Sequence, residues 1–410
     1  MEHQKTKYGF TQHHFYSAKS KSGAGFTLLE IMLAMGILVI LAGISFVYVS
    51  YTEIKKQAND NKRIADITKL HLAVSDVYFR DSSSFMGNGQ TVYVSLPDAD
   101  AHCSSYTLPT LPNGWSYNCS SHANLQKSNG SGWLPIDFSP FHNQEQIPID
   151  AMNDTHHFYA YIFSQTTGRW ILTAALDSEK YLKQAAFTDG GIDDSRYEIG
   201  TDLRLWAYAL HMVGYWKMDD ANLTDLLGIH NGSVNGASVV PGKIGNALSF
   251  DGQNNYIQFD NLAVATTSGL FNTVEFWMYW NGQTDEIVIG WDEPYALSFD
   301  YDCFGFNVGQ GNLFGVSFSA LAHTWTYVAV VFYNGVPAAE NSKIYINGIK
   351  QNLTSCHGSE TPAKNATPTM FVADWGTGGG GNFSGLIDQL KVYSRELSAE
   401  EILALYNATK

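Results

Sequence analysis

The feature that most constrains this chain is an uncharged apolar run close to its amino terminus. From Ile31 to Val49 the sequence contains neither a charged residue nor a proline. Counted from Phe26 the run is 24 residues long, which as a helix measures about 36 Å and is enough to cross the apolar core of a bilayer. Gly25 lies before the run, whereas a secretory signal places its small-residue cleavage site after it. The sequence therefore predicts a membrane helix over 26–51.

The apolar run continues into an amphipathic segment. Over 52–79 apolar residues recur at roughly the helical repeat, with polar residues such as Arg63 and Asp66 between them. The apolar positions are Ile54, Ala58, Ala65, Ile67, Leu70, Val74 and Val77. We therefore predict one helix of about 50 residues, half in lipid and half packed on a globular domain.

The segment 25–30, which reads GFTLLE, followed by this helix resembles the start of type IV pilins and pseudopilins. The resemblance implies that 1–25 is a leader, which prepilin peptidase removes after Gly25 to leave Phe26 as an N-methylated terminus. It also implies that Glu30 pairs with the amine of Phe26 on a neighbouring subunit, which gives a carboxylate in apolar surroundings its partner. The alternative is a Glu30 side chain that reaches the membrane interface near the helix end.

From about Asp81 the helical pattern gives way to Ser, Gly and Pro with short aromatic runs. Residues 147–153 (IPIDAMN) are similar to the proline–aspartate–asparagine segment of pseudopilins, and 158–161 and 170–176 resemble their sheet strands. We therefore predict a pilin-type α+β module over 52–213, in which the long N-terminal helix packs on an antiparallel sheet.

The remainder of the chain has the pattern of an all-β domain. Asn-Gly pairs that begin at 231, 235, 281, 334 and 347 predict tight turns between short aromatic and β-branched strands. A capping box, Ser398 with Glu401, predicts a single terminal helix. Many short strands with regular turns indicate a sandwich or jelly roll.

This part resembles the concanavalin A-like, laminin G-like jelly-roll family over 214–410. The resemblance rests on WKMD at 216–219, PGKIGNALSFDG at 241–252, VEFW at 274–277, YING at 345–348, GLIDQ at 385–389 and RELS at 395–398. It implies an all-β jelly-roll sandwich of two sheets, with ligands often held on a concave face or at a rim loop. Between Arg204 and Lys217 no Pro-, Ser- or charge-rich linker is present, which predicts a rigid attachment to the pilin module.

Four cysteines, Cys103, Cys119, Cys303 and Cys356, allow three disulfide connectivities. The separation of the two domains favours 103–119 with 303–356. In an exported protein a bridge closing the first of these loops would add about 3 kcal/mol. Unpaired buried thiols are the alternative.

Two acidic sets are candidates for calcium, which is the only cofactor the sequence suggests. The jelly-roll resemblance implies Asp219 and Asp388, since some members carry this ion, although Gln follows Asp388 where the family usually has Glu. The alternative is that both carboxylates cap turns or accept bonds from backbone amides. Asp189, Asp193 and Asp194 lie in a loop comparable to one that holds calcium in some pseudopilins, but a solvated acidic turn is the favoured interpretation.

Four aromatic residues, Trp291, Tyr295, Tyr301 and Trp375, are predicted to be exposed and able to stack on a sugar ring. For each of them taken alone, ordinary core or rim packing is the favoured interpretation. We predict no enzymatic activity. Jelly-roll glycosidases commonly carry a Glu-x-Asp-x-x-Glu strand, which the acidic residues at 286, 292 and 293 do not reproduce.

These patterns predict a minor type IV pilin that displays a lectin-like domain for adhesion to a glycan or protein surface. Its partners would be other pilin subunits, contacted through the N-terminal helix, and prepilin peptidase. The chain would lie in the bacterial inner membrane as a precursor and then in an extracellular filament. The alternative is a periplasmic pseudopilin of a type II secretion system, whose jelly roll contacts cargo or machinery. With 39 acidic residues against 24 basic ones, the chain is not expected to bind nucleic acid.

Overall fold

The computed structural model describes residues 28–81, 83–141, 144–291, 295–309, 313–358, 363–376 and 381–410, without the side chains of 40–50. The predicted leader, with Gly25 and Phe26, lies outside these residues. Helix α1 covers Leu28–Arg80, so one long helix forms as predicted. Among the described residues, no helix has a stretch both long and apolar enough to cross a membrane. The chain consists of two compact units, of which the first ends at Ile54 and the second is Lys55–Lys410.

The first part of this unit is an α+β module. Its elements after α1 are β1 (Thr91–Pro97), β2 (Ser116–Ser120), β3 (Tyr159–Ser164), β4 (Arg169–Ala175), α2 (Glu179–Gln184), β5 (Arg196–Gly200) and α3 (Arg204–Ala209). In the described part of the chain these strands form a five-stranded sheet in the order β2-β1-β3-β4-β5. All neighbours are antiparallel except β1 and β2, which are parallel. The predicted pilin-type fold class is confirmed, with this one parallel pair in its sheet.

The apolar positions predicted for the amphipathic part of α1 are buried only in its C-terminal turns. Apolar side chains there pack against the sheet: Ile67, Leu70, Val74 and Val77. Ile54 is instead 64% exposed, and the polar residue Arg63 is buried. Its Nε lies 2.6 Å from Asp150 and its Nη1 lies 2.7 Å from Asp177 and 2.9 Å from Asp60. A guanidinium has five N–H donors, so three carboxylates can satisfy it away from water.

The second part of the unit is a two-sheet sandwich. Its strands are β6 (Met212–Trp216), β7 (Ser233–Asn235), β8 (Ser238–Pro241), β9 (Asn246–Asp251), β10 (Tyr256–Phe259), β11 (Phe271–Trp280), β12 (Glu286–Trp291), β13 (Tyr295–Asp300), β14 (Cys303–Asn307), β15 (Leu313–Ser317), β16 (Trp325–Tyr333), β17 (Lys343–Ile346), β18 (Ile349–Lys350), β19 (Thr354–His357), β20 (Met370–Val372) and β21 (Ser384–Tyr393). Helix α4 (Ala399–Thr409) comes last, with the predicted capping box of Ser398 and Glu401. Both predicted disulfides, Cys103–Cys119 and Cys303–Cys356, are present.

We call the two sheets the front sheet and the back sheet. The front sheet has the order β19-β15-β14-β13-β12-β20-β10-β7. The back sheet has the order β18-β17-β16-β11-β21-β9-β8, and β6 also pairs with β21. Apolar side chains from both sheets form one core between them, in which the rings of Trp280 and Phe299 stack with centroids 3.9 Å apart. The predicted all-β jelly-roll sandwich is confirmed.

The outer face of the back sheet is covered by α4 and by the α+β module. The contact is apolar and includes Ile192, Ala207, Tyr215, Trp277, Tyr327, Tyr393 and Ile402. Within it, Lys391 Nζ on β21 lies 2.6 Å from Asp194 Oδ2. Arg395 Nε donates to the carbonyl of Leu210 at 2.8 Å. The two parts of the compact unit are therefore joined by packed side chains as well as by the chain crossing, as the apolar junction predicts.

Candidate functional site

A groove runs over the outer face of the front sheet. Ser298 on β13 points outward because its neighbours Leu297 and Phe299 point into the core. A Cβ atom at Gly290 on β12 would lie 2.7 Å from the Cα of Trp375, so only glycine lets the segment after β20 lie directly on the sheet. The cavity measures about 340 Å³, and its lining includes Asp285, Glu286, Ser298, Asp300, Asn307 and Trp375.

Two polar groups of the groove lack a hydrogen-bond partner within the described residues. One is the hydroxyl of Ser298, on a residue only 1% exposed, and the other is the indole N–H of the half-buried Trp375. Buried polar groups are nearly always paired in folded proteins, so an unpaired hydroxyl and an unpaired N–H in one cavity indicate a place for a polar ligand.

A pair of carboxyl groups stands at one end of the groove. Asp285 precedes β12, Asp300 ends β13, and their side chains share a hydrogen bond. The pKa of Asp300 is raised, first by burial and then by the neighbouring Asp285. His357 acts weakly in the opposite direction. Asp285 and Asp300 therefore form one acidic cluster at this end of the groove.

A third carboxyl group lies beneath the groove. Glu286 accepts hydrogen bonds from the indole N–H of Trp280 at 2.8 Å and from the backbone N–H of Ser384 at 3.0 Å. Burial raises its pKa to about 7, and these two bonds act against the shift. Because both of its oxygens bond inward, Glu286 anchors the floor of the groove.

The backbone around the groove is strained at several non-glycine residues. Asp285, Tyr301, Asp302 and Ala373 have φ values of 62°, 46°, 58° and 67°. Tyr301 and Asp302 form the tight turn between β13 and β14, where both central residues take the left-handed conformation. Strained residues of this kind concentrate at functional sites.

The four aromatic residues predicted for ligand stacking have different outcomes. Trp375 lines the groove, and Tyr301 is 51% exposed, with its ring stacked on His357 at 3.8 Å. Trp291 and Tyr295 were wrongly predicted to be exposed. They are 0% and 1% exposed, because strand alternation directs both rings into the core against Phe332.

Sequence reasoning missed Asp285, Ser298, Asp300 and Asn307. The alternation of β13 contained a usable signal, since Ser298 and Asp300 alternate with Leu297 and Phe299. Asp285 gave no comparable signal, because its place in the groove depends on how β12 pairs with β13.

Asp219 and Asp388 both face the turn before β9. Asp388 Oδ2 accepts from the backbone N–H of Ile244 at 2.9 Å, and Asp219 Oδ1 accepts from that of Asn246 at 2.8 Å. These contacts are those of carboxylates that hold a turn, the alternative raised from the sequence. Over the described ranges, no group of three or more His, Cys, Asp or Glu side chains could hold a metal ion. Calcium binding by this pair stays a prediction.

The acidic loop of the α+β module was wrongly interpreted as a solvated turn. Asp189 accepts bonds from the backbone N–H groups of Gly191 and Glu198, and burial raises its pKa to about 7. Asp193 Oδ2 accepts from the indole N–H of Trp206 at 2.9 Å, and Asp194 is buried against the back sheet. Asp194 reaches across to Lys391 of the back sheet, whereas Asp189 and Asp193 bond within the α+β module.

At the amino terminus, Glu30 lies in the first turn of α1 and is exposed, as are its described apolar neighbours up to Val39. Its predicted partner, the amine of Phe26, lies outside the described residues. The pairing of the two between subunits stays a prediction.

Two family models match the chain. Residues 20–46 match the prokaryotic N-terminal methylation motif, and residues 251–403 match the concanavalin A-like lectin/glucanases superfamily. The chain therefore combines a prepilin-type amino terminus with a concanavalin A-like domain. More particularly, the two matched segments agree with the two resemblances, a prepilin-type motif at the amino terminus and a lectin-like domain in the second half of the chain. No curated protein matches it.

Several solved structures are similar to about half of the chain. Domain 4 of AbnA, a GH43 extracellular arabinanase from Geobacillus stearothermophilus in complex with arabinotriose, is 20% identical with a TM-score of 0.35, covering 48% of this chain and 98% of that one. The binding domain of Paraclostridial Mosquitocidal Protein 1 is 16% identical with a TM-score of 0.34, covering 48% and 52%. The binding domain of botulinum neurotoxin DC in complex with rat synaptotagmin II is 16% identical with a TM-score of 0.36, covering 49% and 52%. The chain thus spans about half the length of the two toxin domains.

Proposed function

We propose that this chain is a minor type IV pilin whose front-sheet groove binds a surface glycan and so makes the filament adhesive. The observation that carries the proposal is the position of the groove. It lies on the sheet opposite the one that α4 and the α+β module cover, and it holds Trp375 together with the unpaired hydroxyl of Ser298.

The lining has the chemistry that a sugar requires. A half-buried indole offers a flat apolar face for the C–H face of a pyranose ring. The Ser298 hydroxyl can donate and accept, the indole N–H can donate, and the carboxylates of Asp285 and Asp300 can accept from sugar hydroxyls. No bond cleavage is proposed, and we expect the purified chain to release no sugar from a bound glycan.

The N-terminal helix would supply assembly. Exposed apolar side chains in the first described turns of α1, such as Leu28 at 78% and Leu33 at 65%, are suited to burial against lipid or against the helices of other subunits. In that setting Glu30 needs a charged partner, and the methylation motif supports the amine of Phe26 in this role.

Immunogold labelling of residues 215–410 on intact cells tests this function. We expect gold on filaments or at their ends. Label that is seen only after the outer membrane is opened would contradict surface display and would favour a secretion pseudopilin. Glu30→Ala should abolish the filament label while the circular dichroism of the purified variant stays native. Normal filament incorporation of this variant would contradict the role of Glu30.

A further inference from the structure

We infer that the groove selects a sugar that carries a free ammonium group, that is, an unacetylated amino sugar. The inference rests on the proposed glycan-binding function and names the ligand class of that same groove. Two features support it: the charge of the lining and the unpaired polar groups of Ser298 and Trp375.

The lining is acidic. Asp285, Glu286 and Asp300 contribute carboxyl groups, and neither Lys nor Arg is among the lining residues that the structure describes. His357 is the basic side chain that acts on Asp300. A uronate, sialate or sulfated sugar would bring a negative charge into this field and would be repelled, whereas a cationic sugar would be attracted.

The carboxyl pair is suited to an ammonium group in particular. Asp285 and Asp300 neighbour each other in the lining, so an ammonium with three N–H donors can bond to both side chains at once. Hydrogen bonds between charged groups are about twice as strong as neutral ones. An N-acetyl group offers one neutral N–H in the same place and leaves both carboxyl groups competing for it.

The unpaired groups distinguish an amino sugar from other cations. The indole N–H of Trp375 can only donate, so it needs an acceptor, which a lysine ammonium does not provide. The buried hydroxyl of Ser298 likewise needs a partner on the floor of the groove. A pyranose with one amine and several hydroxyls provides the cation, the acceptor and a face for the indole ring in one molecule.

The test is titration calorimetry of the full chain in detergent, at a mildly acidic pH at which the amine is charged. The probes are a glucosamine oligomer, the N-acetylglucosamine oligomer of equal length, a uronate oligomer and a lysine oligomer. We expect the glucosamine oligomer to bind about tenfold more tightly than its acetylated counterpart, since one stronger hydrogen bond is worth about 1.4 kcal/mol. We expect the lysine oligomer to bind more weakly than the glucosamine oligomer, because it lacks a sugar face for the indole, and the uronate oligomer not to bind measurably.

Asp285→Asn together with Asp300→Asn should remove the preference for the amine, so that the ratio of the affinities for the glucosamine and N-acetylglucosamine oligomers falls from about ten to about one. Asn tolerates the left-handed backbone of Asp285 and keeps an acceptor for the N–H of Tyr301. Asp302→Asn is the matched control, because Asp302 is also left-handed but is absent from the lining, and this variant should keep the full preference.

The outcomes separate the two proposals. Equal affinity for the amine and acetyl forms, equal affinity for the lysine oligomer, or a preference that appears only with added calcium would overturn this inference and leave glycan binding standing. Failure of every sugar to bind a chain with native circular dichroism would overturn the proposed function itself.

Discussion

Lys391 Nζ lies 2.6 Å from Asp194 Oδ2, and the contact joins the back sheet of the jelly roll to a loop of the pilin module. The two side chains are 3% and 6% exposed, and Glu275 lies 3.4 Å from the same ammonium. Burial acts against the charge of Lys391, but Asp194 and Glu275 hold its pKa well above the usual value. The junction therefore contains an ion pair that is charged although it is buried away from water.

Breaking this pair should destabilise the protein strongly. For Asp194→Asn we expect the free energy of unfolding of Lys55–Lys410 in urea to fall by about 3 kcal/mol, because a buried charge loses its nearest partner. Glu179→Gln is the control, since its pair with Lys183 is 59% and 46% exposed and such pairs contribute less than about 1 kcal/mol. Equal losses in the two variants would show that the buried pair has no special weight.

Removing the aromatic wall of the groove should weaken glycan binding without unfolding the domain. For Trp375→Ala we expect affinity for a bound glycan to fall about tenfold, since contacts of this kind are worth roughly 1 kcal/mol or more. Trp325→Ala removes an equally half-buried indole from the back sheet, beside Tyr279 at 5.9 Å, and should leave affinity unchanged. Calorimetry of both variants measures the difference, and an equal loss would place the ligand elsewhere.

Asp388 should make stability depend on pH. Burial raises its pKa from 3.8 to about 7, so the folded chain binds this proton more tightly than the unfolded chain does. The contribution is present at pH values below the lower pKa and is lost as the pH rises through the upper one. Asp388→Asn removes the titration and keeps an acceptor for the N–H of Ile244. We therefore expect the advantage of the variant over the wild type in unfolding free energy to grow by about 1–3 kcal/mol between about pH 5 and about pH 8.

Asp251→Asn is the control, because Asp251 is exposed, and this variant should show the wild-type pH dependence in the same urea titrations. A wild-type chain no less stable at about pH 8 than Asp388→Asn would contradict the raised pKa. The same pair of proteins tests calcium, because an ion held by Asp219 and Asp388 would stabilise the wild type and not the variant.

The two disulfides should differ in what their removal affects. Cys103–Cys119 closes a sequence separation of 16 and Cys303–Cys356 one of 53, for which the chain-entropy estimates are about 3 and 4 kcal/mol. Replacing either pair by serine should lower the unfolding free energy by about these amounts. Only the second replacement should also weaken glycan binding, because Cys303 pairs directly with Asp300 at the end of the groove. Equal losses of affinity from both replacements would contradict this assignment.

The long helix, the order of the jelly-roll motifs and the disulfide pairing could be predicted because each depends on local pattern or on separation along the chain. The role of Arg63 could not, since its partners Asp150 and Asp177 come from distant segments and only the fold brings them together. Trp291 and Tyr295 were misplaced because the sequence did not show which face of each strand is buried, and both rings lie on the core face. The position of Asp285 in the groove could not be predicted either, because it depends on an irregularity in the pairing of β12 with β13.

The covered back sheet determines how tension passes through the molecule. A pull on a molecule held in the groove enters the front sheet, crosses the shared aromatic core and reaches the pilin module through packed side chains. No proline- or serine-rich tether separates the two parts, so there is no slack to take up before the load is felt. The jelly roll and the pilin module are therefore expected to move as one stiff body. Force applied to the pilin module would reach a ligand bound in the groove without delay.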